Sequence, residues 1–235
     1  GSTGPSQSNC DLAYSGTSLD SAVTVTGSGI QNWTVPQSGP YRITVGGAGH
    51  NADGNFIQGA IVRGVLELTE GTQLQILVGQ QGEAPRGGNG GSFVILSDNT
   101  PLFIAGGAGG MRNFVDINTR GSTLTAGNNA VCGENAIGGV NGNGGIVVNE
   151  GACSGAGAGL LTDGGGCGGG IAFINGGLGG NSGGAYEGGF GGGGGIESQS
   201  SPGGGGGYSG GAAYYTGAGN SCAGGGGSYI AATAT

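Results

Sequence analysis

An all-β chain is what this sequence predicts: a β-sandwich or jelly-roll-like body carrying a bundle of polyglycine-II helices. Three observations predict it. Seven runs rich in Val, Ile, Leu and Thr follow one another between residues 21 and 105, separated by turn residues. Glycine supplies 67 of the 235 residues and dominates beyond Gly106. No stretch shows a helical period with capping residues, so no α-helix of note is expected.

Taken in order, residues 1–9 (GSTGPSQSN) read as a polar tail ahead of one domain, 10–235. The strand candidates are SAVTVTG, IQNWTVP, YRITVGG, AIVRGVLELTE, TQLQILVGQ, GSFVILS and PLFIAGG. YRITV and TQLQILV alternate as half-buried strands do. From 106 to 227 the texture changes to polyglycine segments, with apolar islands at IVVNE and IAFI. SYIAATAT, 228–235, reads as a closing strand that returns to the sandwich.

The glycine content constrains the architecture. Ordering glycine costs about 0.5–1 kcal/mol more than ordering alanine. Collagen is excluded, because only six prolines are present and no triplet register persists. Full disorder conflicts with a 35% hydrophobic content gathered in strand-like runs. Polyglycine-II geometry has three residues per turn and no internal hydrogen bonds, so its N–H and C=O groups can satisfy neighbouring segments. Gly188–Gly195 and Gly203–Gly207 are therefore expected to be ordered and extended. Ordered loops around glycine-tolerant turns are the alternative.

Charge excludes other classes. The net charge is −8, the five basic residues are all arginine, and the chain has no lysine, so no nucleic-acid footprint exists. No apolar run approaches the 18 or so residues of a membrane span, so no membrane insertion is expected. The absence of a visible signal peptide fits a mature form or a cytosolic protein. Five cysteines without CxxC spacing, beside one histidine, argue for disulfides rather than a metal site; no cofactor is expected. Two intrachain disulfides are expected mainly within Cys132, Cys153, Cys167 and Cys222, with Cys10 as the odd thiol. Buried free thiols in a cytosolic protein are the alternative. Asn32-Trp33-Thr34 is a glycosylation sequon, which makes Asn32 a candidate in a eukaryotic secreted chain.

Motifs for chemistry are weak. Gly180–Gly184 and Gly207–Gly211 fit G-x-S-x-G, but no helix follows either and such matches arise by chance at this glycine content. The missing lysine excludes a P-loop. His50 reads as a turn residue, and Asn51–Gly54 as an Asx-type turn rather than a calcium loop. Trp33 and Tyr41 read as sandwich core. Tyr229 reads as packing, while Tyr208, Tyr214 and Tyr215 either pack between glycine segments or stand as binding anchors.

Several stretches carry a family resemblance: NCDLAYSG, IQNWTVPQSGPYRITVGGAG, GVLELTEGTQLQILVGQQGE, PLFIAGGAGG, GGFGGGGG and GGGGGYSGG. They resemble the glycine-rich domain of the anaplastic lymphoma kinase and leukocyte tyrosine kinase receptors. The matching residues are Trp33, Val35 and Pro36, then Tyr41 and Ile43, Val78–Glu83, and Ile104–Gly107. The resemblance covers about residues 9–230 and implies a tumour-necrosis-factor-like β-sandwich located outside the cell, in a region that takes part in cytokine binding. It carries over no ligand-contact residue.

The expected function is a non-enzymatic extracellular or cell-surface scaffold for protein binding or self-assembly. The expected partners are proteins, chiefly copies of itself held through the N-terminal tail. The rivals are a ligand-binding receptor-type ectodomain, a phage or bacterial adhesin tip presenting a loop such as 196–201, and an ice-binding polyglycine protein.

Overall fold

The computed structural model describes residues 1–52, 55–111, 117–132, 136–148, 153–197, 201–215 and 221–235. One α-helix, α1 (Gln7–Tyr14), precedes the strands β1 (Val23–Val25), β2 (Gln31–Thr34), β3 (Gly39–Gly46), β4 (His50–Ala52), β5 (Asn55–Ile57), β6 (Ile61–Leu68) and β7 (Gln73–Leu77). They are followed by β8 (Ser92–Leu96), β9 (Pro101–Ala105), β10 (Val147–Val148), β11 (Ala213–Tyr214), β12 (Cys222–Ala223) and β13 (Tyr229–Ile230). The fold is all-β. Among the described residues no helix is long and apolar enough to cross a membrane.

A six-stranded antiparallel sheet runs β1-β2-β7-β8-β9-β13. Its register places Trp33 opposite Leu74, Leu74 opposite Leu96, and Ile104 opposite both Phe93 and Tyr229. Alternation along each strand sends side chains to two cores. On one face Val35, Leu74, Val94 and Phe103 pack against Val45, Val62, Leu66 and Leu68 of the β3–β6 pair. On the other, Leu77, Phe93, Ile95 and Ile104 meet Leu160, Phe173 and Phe190 from the glycine-rich half. Phe93, Phe103 and Phe190 are fully buried, each worth about 1.5–3 kcal/mol of transfer free energy. One sheet therefore serves both textures of the chain.

Beyond these core residues, the glycine runs themselves are held by backbone pairing. In the run Gly203–Gly207, the N–H groups of Gly203 and Gly206 donate to Arg86 and Asn89. Those of Gly204 and Gly207 donate to Gly155 and Ala158, and those of Gly205 and Tyr208 to Gly224 and Gly227. Each neighbour is met at every third residue, on three sides. The carbonyls point outward as well: Gly203 and Gly206 accept from Gly110 and Gly107, Gly204 from Gly194, and Gly205 from Gly211. A Cβ at Gly206 would overlap the Gly191 carbonyl oxygen, so only glycine admits this approach.

The other run behaves differently from a single extended segment. Gly188–Gly189 and Gly193–Gly195 are two legs joined by a turn at Phe190–Gly192. Gly191 and Gly192 have φ of +101° and +80°, and the Gly193 N–H donates back to the Gly189 carbonyl. The turn exists because Phe190, fully buried, is drawn into the second core.

Residues 1–9, expected as a polar tail, are folded onto the chain's own body. The Gly1 ammonium donates to Gln81 O at 2.9 Å, and Phe190 and Gly179 donate to the carbonyls of Gly1 and Ser2. Ser6 and Asn9 cap α1 reciprocally: Asn9 N–H donates to Ser6 Oγ, and Ser6 N–H to Asn9 Oδ1. The Gln7 amide then pairs with the edge of β1, donating to Val23 O and accepting from Val25 N–H.

Candidate binding surface

The β3–β6 pair rests on β8, β9 and β13. The face of the large sheet continues beyond it, over Ile76 of β7 and Trp33 of β2, toward α1. Three adjoining cavities of about 170, 290 and 300 Å³ follow this strip. The first lies between Thr44 and Val45 of β3 and Ile76, Val78 and Phe93 of the large sheet. The second is lined by Leu19, Val23, Trp33 and Ile76, and the third by Pro5, Cys10, Val78 and Gln80. Tyr14 and Gln31 border the second and third cavities, and the Tyr14 hydroxyl donates to Gln31 Oε1 at 2.6 Å. Apolar atoms dominate the cleft, and Val78 is 52% exposed.

Cys10 faces the cleft from α1, is buried, and is the free cysteine. Burial pushes its thiol pKa up and the neighbouring Asp11 carboxylate adds to the shift, so it is a protonated thiol at neutral pH. The other four cysteines pair as Cys132–Cys222 and Cys153–Cys167, with Cα–Cα distances of 6.0 and 5.3 Å. Spacing along the chain did not dictate that pairing.

The tyrosines do not converge on one site. Tyr208 packs on Tyr229 with ring centroids 4.8 Å apart, at the second core. Tyr214 is buried beside the Cys132–Cys222 bridge, opposite Cys222 in the β11–β12 ladder. Tyr215 is half-buried at the end of β11. Asn32 lies within β2, paired on both sides with β1 and β7. With Thr24, Thr34 and Gln75 it lines a polar cavity of about 370 Å³. Trp33 packs edge-on against Tyr41 at 6.0 Å in the first core. Ser198–Ser200 of the 196–201 loop and Asp53–Gly54 of the expected Asx turn lie outside the described residues.

His50 is a correction: it is buried in β4 instead of standing in a turn. Its Nδ1 lies 2.9 Å from Asn89 Nδ2. The amide's orientation is settled by its other partners, because Nδ2 also donates to Ala108 O and Oδ1 accepts from Gly82 N–H. Nδ1 therefore accepts, which requires the neutral imidazole. Burial also lowers the His50 pKa from 6.5. A base with a depressed folded-state pKa binds its proton more readily in the unfolded chain. Its stabilising effect is complete above about pH 6.5 and is lost as pH falls below that value. The melting temperature is expected to fall between pH 7 and pH 5, and this slope should vanish in His50→Gln. A wild-type melting temperature unchanged over that interval would contradict the assignment.

Neither serine of the G-x-S-x-G matches meets a histidine. Ser209 Oγ accepts from Gly142 N–H, while His50 is engaged with Asn89. Among the described residues no three His, Cys, Asp or Glu side chains are grouped to hold a metal.

No family model matches the chain. Over 107 residues, 42% of its length, it is 36% identical to the leukocyte tyrosine kinase receptor of Mus musculus. The matched region is 12% of that receptor, so the chain spans about an eighth of the curated relative it matches. The chain is thus similar to one part of a receptor tyrosine kinase.

Proposed function

We propose that this chain is a non-enzymatic protein-binding module of extracellular receptor type. Its glycine half acts as a rigid bundle of polyglycine-II helices that fixes the β-body in one shape. The observation that carries the reading is the 36% identity over 107 residues to the leukocyte tyrosine kinase receptor. The two cysteine pairs support an oxidising compartment. The three-residue period of the Gly203–Tyr208 hydrogen bonds supports the polyglycine-II geometry.

Assembly of copies through the N-terminal tail is not favoured. The tail spends its backbone groups on its own chain, and the odd thiol is buried.

The test is an array of secreted and cell-surface proteins probed with the folded, multivalently displayed chain. Saturable binding to at least one of them, lost on reduction of the disulfides, is expected. Thiol titration of the denatured, unreduced protein should find one group, Cys10. Five reactive thiols, or no binding across the array, would overturn the reading.

A further inference from the structure

We propose that the outer edge of β3 is a strand-addition site for an extended segment of a different protein, apolar at alternate positions and acidic at those between. The inference rests on the reading of the chain as a protein-binding module, and it names the surface and the chemistry of the partner.

The edge comes first. Among the described residues β3 pairs with β6 alone. The Gly47 N–H donates to Ala60 O, which sets the alternation of the antiparallel ladder. Tyr41, Ile43 and Val45 then turn their backbone groups toward β6, and Arg42 and Thr44 turn theirs outward. Among the described residues no backbone group pairs with that outer side of Arg42 or Thr44. Native edges are usually blunted by proline, charge or cover. Pro40 blunts only the first residues of this one.

The second observation is the space beside the edge. A strand added to β3 would lie about 4.8 Å away. There it would run over the uncovered cleft, above Ile76, Val78 and Trp33. Its alternate side chains would point down onto those residues, of which Trp33 and Ile76 are only partly buried members of the first core. Backbone pairing would supply affinity, and the cleft would select apolar side chains.

Charge decides the occupant. The outward side chains of an added strand would stand beside Arg42, with Arg63 on β6 held to Thr44 Oγ1 at 3.0 Å. Arg63 and Glu67 both lie on β6, one strand further from the edge, opposite Thr44 and Pro40. Carboxylates on the incoming segment complement Arg42, the charged side chain of β3 itself. A second copy would bring its own Arg42 to the shared edge, and copies of charge −8 repel each other.

The test uses the full chain with its disulfides intact and a fluorescein-labelled ten-residue peptide of alternating valine and glutamate, read by anisotropy. A valine–lysine peptide and a fully N-methylated valine–glutamate peptide are the controls. Thr44→Pro removes an outward N–H, and an edge strand tolerates proline there, so this variant should fold. Arg42→Glu changes only the exposed charge. Saturable binding of the valine–glutamate peptide is expected, weakened at least tenfold by N-methylation and by Thr44→Pro. Arg42→Glu should reverse the preference toward the lysine peptide. No saturable binding, or binding indifferent to both variants, would overturn the proposal. So would a concentration-dependent dimer abolished by Thr44→Pro, which would make a second copy the occupant. If binding to an arrayed protein survives Thr44→Pro while the peptide fails to bind, this site is wrong and the protein-binding reading stands.

Discussion

Gly206→Val is expected to be among the most damaging single substitutions in this chain. The new side chain would have to occupy space held by the Gly191 carbonyl and the Gly192 backbone. Neither can withdraw cheaply, because Gly191 O accepts from Gly91 N–H and Gly206 itself bridges Asn89 and Gly107. Overpacking a core costs about 1–3 kcal/mol when side chains can give way. Here the obstacle is backbone, so about 3 kcal/mol or more is expected, a fall of roughly 6–12 °C in melting temperature for a domain of this size. Gly27→Ala is the control, since a Cβ there meets nothing within 4 Å. It should stay within about 0.5 kcal/mol of wild type. Equal melting temperatures for the two variants would contradict the packing of the glycine layer.

The second large effect is loss of the Cys132–Cys222 bridge in the double variant Cys132→Ala, Cys222→Ala. The bridge spans a sequence separation of 90 and anchors β12, which carries Cys222 opposite Tyr214 of β11. On the chain-entropy model a loop of this length is worth about 4–5 kcal/mol, and one of about 15 residues about 3 kcal/mol. The Cys153–Cys167 bridge, with a separation of 14, should therefore cost less to remove. Equilibrium denaturation of the two double variants checks both the size and the order. Stabilities within about 1 kcal/mol of wild type for both would contradict a structural role for the bridges.

The β-body was largely legible because its strands are long apolar runs. Each of the seven strand candidates between 21 and 105 overlaps an observed strand, although β3 begins two residues ahead of its candidate. β4 and β5 were missed: their residues, His50–Ala52 and Asn55–Ile57, are short and mixed, and flanking glycines read as turns. The helix was missed for a related reason. Ser6 and Asn9 were a usable N-terminal signal, but α1 is polar and is held by tertiary contacts of Gln7 and Cys10 that sequence does not display.

In the glycine half, composition required backbone pairing without naming partners. Gly203 meets Arg86, and Gly205 meets Gly224, through groups every glycine carries. Nothing in the letters separates one such segment from the next. The turn at Phe190 is an exception that the single aromatic in GGFGGGGG signals, because its side chain needs a core. The cleft beside β3 left no mark, since it consists of strands that are not there. Arg42 and Pro40 hinted at an edge only once the pairing of β3 was seen.

Native-state hydrogen exchange of the Gly204, Gly205 and Gly206 amides tests whether the glycine runs form a hydrogen-bonded scaffold on which the β-body depends. Each donates to a different segment, Gly155, Gly224 and Asn89 respectively. If the scaffold is sound, these three amides exchange only through global unfolding, with protection equal to that of Phe93 and Ile104 in the large sheet. Exchange at the rate of an unstructured chain, while Phe93 and Ile104 stay protected, would show the glycine runs to be tethers.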